Sequence, residues 1–414
     1  MTIPFSSRSG VGTVRGAERT ERSPRPEPVT AVRRSAWAGP GVRRRTRWTP
    51  EAVGLLAVTV ALVAVGLVFV LSASSVTSMD VHDSLFHRFE RQAVFVLVGL
   101  LGMAFAIALP TSALRKVAVL AFWAVVAALV AVMAVGQTVD GSKRWIGPDA
   151  LQFQPSEAAK LAVILMGARL LLAIDPRSME LLRRGWVLLI PPALVLLQPD
   201  LGSTVILAVI ILSLLATAGA PKRFLGAVVA GGLVMVLLSL TVQDYQADRI
   251  RGLVSADCAT ANGFHACQSL VGLGTGHLLG TGVGASRAKW GYLPNADSDF
   301  IFTVIGEEVG FVGATLVIAG FAAFAVFGVR TANRARDRFG HVVAMAITTW
   351  ITVQALVNIA VTVRWAPVTG VPLPFMSIGG TSRVVMLTAV GVLIRIARNQ
   401  RTVDRSWPAP TRRR

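Results

Sequence analysis

Apolar runs near 20 residues recur along this 414-residue chain, and they narrow its possible folds more than any other feature. About 20 apolar residues in a helix cross the hydrocarbon core of a bilayer. Inside hydrocarbon only helices and closed barrels can satisfy their own backbone. Ten such stretches fall near 52–72, 91–109, 117–136, 157–174, 186–198, 202–218, 224–242, 301–329, 341–363 and 384–397. Charged residues make up 15% of the chain, against about 25% in an ordinary soluble domain. The expectation is an all-α polytopic membrane protein of about ten transmembrane helices. The fifth and sixth stretches are short and joined by Gln198-Pro199-Asp200-Leu201-Gly202. A turn at that depth must be buried in protein or line a polar cavity.

The formal net charge of +19 would suit a nucleic-acid binder, but its placement does not. Most Arg and Lys lie in the two tails and in short inter-helix loops, the pattern that keeps positive loops cytoplasmic. With the N-terminus inside, the inner loops hold Arg115 and Lys116; Arg177, Arg183 and Arg184; Lys222 and Arg223; and Arg330 to Arg338. The C-terminus then also falls inside. Residues 1–50 are rich in Arg, Pro, Ser and Gly and lack an apolar core, so they read as a disordered basic cytoplasmic tail rather than a signal peptide. Residues 51–398 form the membrane domain and 399–414 a second basic tail. The outer loops are 137–156, 243–300 (between helices seven and eight) and 364–383. They carry most of the Gly, Pro and charge that spans do not tolerate.

Cys258 and Cys267 both lie in loop 243–300. The outer side is oxidising, so a disulfide closing a small loop is the preferred reading. Free thiols or a metal site are the alternatives; two thiols and His265 make an incomplete ligand set. The five histidines are scattered, with no Ser-His-Asp order and no HExxH, and read as non-catalytic.

Several charges sit where lipid makes them costly, roughly 2.5 to 3.5 kcal/mol each on insertion scales. Glu157 and Lys160 follow Gln154-Pro155-Ser156 and share a helix face, as a structural ion pair or as the wall of a substrate cavity. Ser156 is a possible helix cap. Asp200 either caps the sixth helix or contacts substrate. Arg249, Arg251, Arg287 and Lys289 accompany six glycines between Gly272 and Gly284. That arrangement suits phosphate oxygens or simple loop flexibility. Asp297 and Asp299 precede Phe300-Ile301-Phe302, and Glu307 and Glu308 follow two turns later. One aspartate can cap the helix while the other acts as a base.

The chain resembles the SEDS (shape, elongation, division and sporulation) family. The resemblance rests on Gly141-Ser142-Lys143-Arg144-Trp145, Gln154-Pro155-Ser156-Glu157 through Lys160, and Gln198-Pro199-Asp200-Leu201-Gly202. It continues through Tyr292-Leu293-Pro294, Asp299-Phe300-Ile301-Phe302, Gly306-Glu307-Glu308 and Gly379-Gly380-Thr381-Ser382. These occur in the family's order across nearly all of the chain after residue 50. Leu71-Ser72-Ala73-Ser74 and Asn295-Ala296 look more like its actinobacterial FtsW members than like RodA.

The resemblance implies a peptidoglycan glycosyltransferase that polymerises lipid II during cell division. Its partners would be a class B penicillin-binding protein and the division machinery, in the cell membrane at the septum. The family's essential aspartate falls on Asp299, its motif Glu and Lys on Glu157 and Lys160, and its Gln-Pro-Asp-Leu-Gly aspartate on Asp200. Asp297 departs from the family pattern and leaves two aspartates as candidates for the base. Trp145, Ser377, Thr381 and Ser382 join the candidate substrate cavity. Asp299 would deprotonate the acceptor sugar hydroxyl. Arg144, Arg249, Arg251, Lys289 or a divalent cation such as Mg2+ or Mn2+ would offset the leaving pyrophosphate of a polyprenyl-linked chain. A lipid II flippase and a non-catalytic division scaffold are the rival readings.

Overall fold

A computed structural model describes residues 48–82, 84, 86–139, 142–148, 152–174, 178, 180–242, 258 and 261–400. Arg249 and Arg251 and both basic tails lie outside the described residues. The helices are α1 (Pro50–His82), α2 (His87–Ala108), α3 (Thr111–Val135), α4 (Pro155–Ala173), α5 (Glu180–Gly185) and α6 (Ile190–Leu197). They continue with α7 (Leu201–Ala218), α8 (Lys222–Val242), α9 (Ala261–Thr275), α10 (Ile301–Asn333), α11 (Arg338–Thr362) and α12 (Gly380–Arg398). Every apolar stretch expected to span the membrane is thus helical. Seven helices are long and apolar enough to cross a bilayer: α1, α2, α3, α7, α10, α11 and α12. Helix α4 is 19 residues long but carries Glu157, Lys160 and Arg169.

Three features depart from the expectation. The fifth stretch is not one helix: a 3-10 turn (Trp186–Leu189) leads into the eight-residue α6. Pro191 and Pro192 lack backbone N–H groups and restart the helix there. Loop 137–156 contains a small antiparallel hairpin, β1 (Gln137–Val139) with β2 (Ser142–Trp145). Loop 243–300 contains α9, stapled at its start by a Cys258–Cys267 disulfide with Cα atoms 5.9 Å apart.

The interior is built by α4, α7, α11 and α12, where Val163, Ile210, Ile347, Trp350 and Leu393 are buried. Leu97, Leu101 and Phe105 on α2 and Leu120 on α3 face outward, as residues meeting lipid must. Helix α2 packs closely on α12 through glycine: a Cβ at Gly391 would lie 2.4 Å from the Met103 carbonyl oxygen. Small residues that let helix backbones approach are a common device of membrane interiors.

Candidate active site

Helix α10 is broken in a way that shapes the outer face. At Gly310 the backbone turns to φ 68° and ψ −168°, which frees carbonyls before the break and N–H groups after it. The loop leading out of α9 satisfies them. Thr281 and Gly282 N–H donate to the Glu307 and Glu308 carbonyls at 3.0 Å each. Phe311 and Val312 N–H donate to the His277 and Leu278 carbonyls at 2.9 and 3.2 Å. A Cβ at Gly310 would sit 2.3 Å from the Gly280 nitrogen, so both chains need glycine here. Irregular backbone at membrane depth requires this kind of satisfaction from protein. Close backbone approach therefore accounts for Gly280 in the glycine-rich loop, a reason neither phosphate binding nor flexibility supplied.

The two glutamates hold the same loop. Glu307 accepts from Ser286 Oγ at 2.5 Å and from the backbone N–H groups of Arg287 and Ala288 at 2.9 and 3.3 Å. Glu308 accepts from Ser72 Oγ at 2.5 Å and lies 3.9 Å from Lys289 Nζ. Lys289 is buried and also donates to the Gly284 carbonyl, so it points inward rather than toward an open phosphate site.

Just ahead of α10, the Asn295–Phe300 turn carries the two aspartates. Neither caps the helix: the cap residue is Phe300, with no side-chain bond to the first turn. Asp297 Oδ2 lies 2.5 Å from Arg88 Nη1 of α2. Asp299 is half-buried, and its carboxylate Oδ2 would be 3.7 Å from a Cβ at Gly370 in the α11–α12 connection. Its backbone carbonyl accepts from Asn358 Nδ2 at 2.8 Å, and the same amide donates to the Val371 carbonyl at 2.9 Å. Ser377 Oγ donates to the Ser298 carbonyl at 2.5 Å, and Ile378 N–H to the Asp297 carbonyl at 3.0 Å. The aspartate turn is therefore sewn to the 364–379 connection on one side and to α2 on the other.

Beneath it lies a buried polar network. Lys160 Nζ meets Glu157 Oε1 at 2.6 Å and Gln354 Oε1 at 3.3 Å. Trp350 Nε1 donates to the same Gln354 oxygen at 2.8 Å, and Gln354 Nε2 donates to the Pro372 carbonyl at 3.0 Å. Glu157 Oε2 is buried without a partner. Asp200 caps α7, accepting from Ser203 N–H at 3.0 Å. Ser156, expected as a cap for α4, instead directs its hydroxyl to Asp200 Oδ2 at 3.5 Å; the cap position is Gln154.

Arg144 donates to the Gln198 carbonyl at 3.3 Å and to that of Pro199, tying the hairpin to the α6–α7 turn. Trp145 beside it is half-buried. Thr381 accepts from Gln154 N–H at 3.1 Å and donates to the Gln152 carbonyl at 3.2 Å, fastening α12 to the segment before α4. Ser382 is buried, with only a long contact of 3.9 Å to Met386 Sδ. Gly202 brings the α7 start against the α11–α12 connection, where a Cβ would be 2.6 Å from the Thr369 carbonyl. Among the described residues no group of three or more His, Cys, Asp or Glu is placed to hold a metal ion.

Three motif segments far apart in sequence thus meet one connection, 364–379: Lys160 through Gln354 and Pro372, the α7 start through Gly202 and Thr369, and the aspartate turn through Ser377 and Ile378. That convergence joins a sequence match over nearly the same span. The model of the FtsW/RodA/SpoVE cell cycle proteins matches residues 53–402. The chain belongs to this family. It is 37% identical over 356 residues to the probable peptidoglycan glycosyltransferase FtsW of Mycobacterium tuberculosis, covering 84% of this chain and 67% of that one. It is 35% identical over 373 residues to stage V sporulation protein E of Bacillus subtilis, covering 86% and 99%. Among solved structures it is similar to a chain of a peptidoglycan synthase complex that coordinates polymerization and crosslinking, with a TM-score of 0.69, 25% identity and 84% and 97% coverage. It shares the fold of rod shape determining protein RodA of Thermus thermophilus, with a TM-score of 0.63, 24% identity and 84% and 96% coverage.

Several residues that contact these candidate residues were not singled out by sequence reasoning: Arg88, Gln92, Gln354, Asn358 and Arg383. For Gln92, Gln354 and Asn358 a signal existed, because each is a polar residue inside an otherwise apolar stretch.

Proposed function

We infer that this chain is a peptidoglycan glycosyltransferase that polymerises lipid II at the outer face of the cytoplasmic membrane, with Asp299 as general base. The supporting observation is its similarity, over 84% of its length, to relatives named as peptidoglycan glycosyltransferases. In this reading the chain crosses the membrane ten times, the seven long apolar helices being joined by α4, by the α5–α6 pair and by α8. Both termini and the tails 1–50 and 399–414 are cytoplasmic, and segment 243–300 is extracytoplasmic.

Asp299 takes the proton from the acceptor sugar hydroxyl as that oxygen bonds to the donor's anomeric carbon. The bond from that carbon to the lipid pyrophosphate breaks, and the electron pair leaves with the phosphate. The choice of Asp299 follows the family resemblance, whose essential aspartate directly precedes Phe300-Ile301-Phe302. Asp297 pairs with Arg88, and Glu307 and Glu308 hold the 281–289 loop. Arg144 and Lys289 are likewise held by carbonyls and by Glu308. Compensation of the pyrophosphate charge falls first to Arg249 and Arg251.

The acceptor and donor both carry polyprenyl tails, and two apolar cavities open along the helices. One, of about 710 Å3, lies between α6, α7 and α8. The other, of about 450 Å3, runs between α1 and α10 and is bordered by Val283. A class B penicillin-binding protein at the division septum is the partner this reading assigns. The test is purified chain with lipid II in detergent, where transbilayer movement is irrelevant. Glycan strands made by wild type and not by Asp299→Asn would support the reading. Strands made only in sealed vesicles would favour a flippase.

A further inference from the structure

Arg383 lies in the first turn of α12 and is 2% exposed. Among the described residues its guanidinium makes no ion pair. A cation inside a membrane domain is costly, and such residues by default serve a purpose. Its partners are neutral oxygens. Nη2 donates to the Ser377 carbonyl at 2.6 Å. Nε lies 2.7 Å from the Gln92 amide oxygen, with that amide assigned in the orientation that sets acceptor against donor. Gln92 is itself buried in α2.

From Ser377 the contacts continue to the catalytic turn. Ser377 Oγ accepts from Leu373 N–H at 2.8 Å and donates to the Ser298 carbonyl at 2.5 Å. Gln92 stands one helical turn beyond Arg88, on the same face of α2. Arg88 grips the Asp297 side chain while Gln92, through Arg383 and Ser377, grips the Ser298 carbonyl. The peptide units on either side of Ser298 lead directly into Asp299. A planar guanidinium with five fixed donors bridges two carbonyl-type oxygens in a way an ammonium cannot.

We propose that Arg383, held by Gln92, is a positioning residue that fixes the Asp297–Asp299 turn for glycosyl transfer. The proposal rests on Asp299 being the base. Misplacement of a reacting group by about 1 Å costs on the order of a hundredfold in rate. Arg383→Met removes the cost of a buried charge but leaves the Ser377 carbonyl and the Gln92 amide without this donor, two opposing effects on stability. Measuring unfolding beside kcat therefore separates a stability effect from a positioning effect.

The experiment measures kcat, KM and thermal unfolding of purified full-length chain with lipid II in detergent. Arg383→Met is expected to stay folded at the assay temperature while kcat falls about tenfold to a hundredfold and KM changes less than about threefold. Ser377→Ala and Gln92→Leu should lower kcat in the same sense, and the Gln92→Leu/Arg383→Met pair should fall no further than the worse single variant. Arg383→Lys should recover only part of the loss. Wild-type kcat in Arg383→Met overturns the proposal. So does a loss that tracks unfolding, or one that appears in KM alone. Asp299→Asn is run beside them. If it is inactive while Arg383→Met is fully active, only the positioning role fails. If it is fully active, the general-base reading has failed first.

Discussion

Arg88 of α2 and Asp297 of the aspartate turn form an ion pair, with Nη1 and Oδ2 2.5 Å apart. This pair gives Asp297 an anchoring partner on helix α2. Asp297 anchors the turn to α2, while Asp299 lies beside Gly370 with its backbone carbonyl held by Asn358. Asp299→Asn should abolish lipid II polymerisation in detergent. Asp297→Asn should retain activity within about tenfold, the loss coming from a looser turn. Gel analysis of glycan products checks both, and the reverse ranking would move the base to Asp297.

Glu157 and Lys160 are both almost fully buried and form an ion pair, with Lys160 also donating to Gln354. Removing one partner strands a charge, so Glu157→Gln or Lys160→Met alone should cost about 3 to 5 kcal/mol. The double variant should recover most of that stability, as read from thermal unfolding of detergent-solubilised protein. If the refolded double variant is inactive, the pair serves catalysis as well as packing. If it is active, the pair is structural.

The cap made by Asp200 gives a second separation of roles. Asp200→Asn keeps an acceptor for Ser203 N–H, whereas Asp200→Ala removes it at a cost of roughly 0.5 to 2 kcal/mol. If capping is the whole role, the Asn variant will polymerise lipid II normally and the Ala variant will lose only stability. An inactive, fully stable Asn variant would instead put the Asp200 charge in the substrate cavity.

Gly310 has φ 68° and no room for a side chain beside the Gly280 nitrogen. Gly310→Ala should unfold the outer half of α10 or prevent accumulation of folded protein. Gly231→Ala in α8, where a Cβ meets open space, should instead be neutral or stabilising by about 0.5 to 1 kcal/mol. Fluorescence-detected size exclusion with a heating series measures both.

The Cys258–Cys267 bridge closes a short loop over a sequence separation of 9. Loop-closure entropy gives roughly 2 to 3 kcal/mol for such a crosslink. Reductant, or paired Cys→Ser substitution, should lower the unfolding temperature, and thiol labelling of unreduced protein should find neither cysteine reactive. Helix α9 bears on the site through Ser269, which bonds Thr303 at 2.5 Å and the Thr362 carbonyl at 2.8 Å.

The helices were legible in the amino-acid sequence because membrane insertion depends on a local sum of side-chain transfer energies. Each of the ten apolar stretches, read from composition alone, is helical in the structure. Of the motif residues, Lys160, Gly202 and Asp299 lie beside the 364–379 connection or its contacts. The hairpin at 137–145, the helix at 261–275 and the split of 186–198 were less visible, since short elements carry little periodic signal and Pro191-Pro192 acts through backbone geometry. What each charge does was decided only by tertiary contact. Asp297 and Asp299 have the same chemistry two residues apart, yet one meets Arg88, contributed from more than 200 positions away. Arg383 is one more basic residue at the edge of an apolar stretch until Gln92 and Ser377 close around it. Hydropathy is additive along a chain, but the role of a charge depends on its partners in space, and those come from other helices.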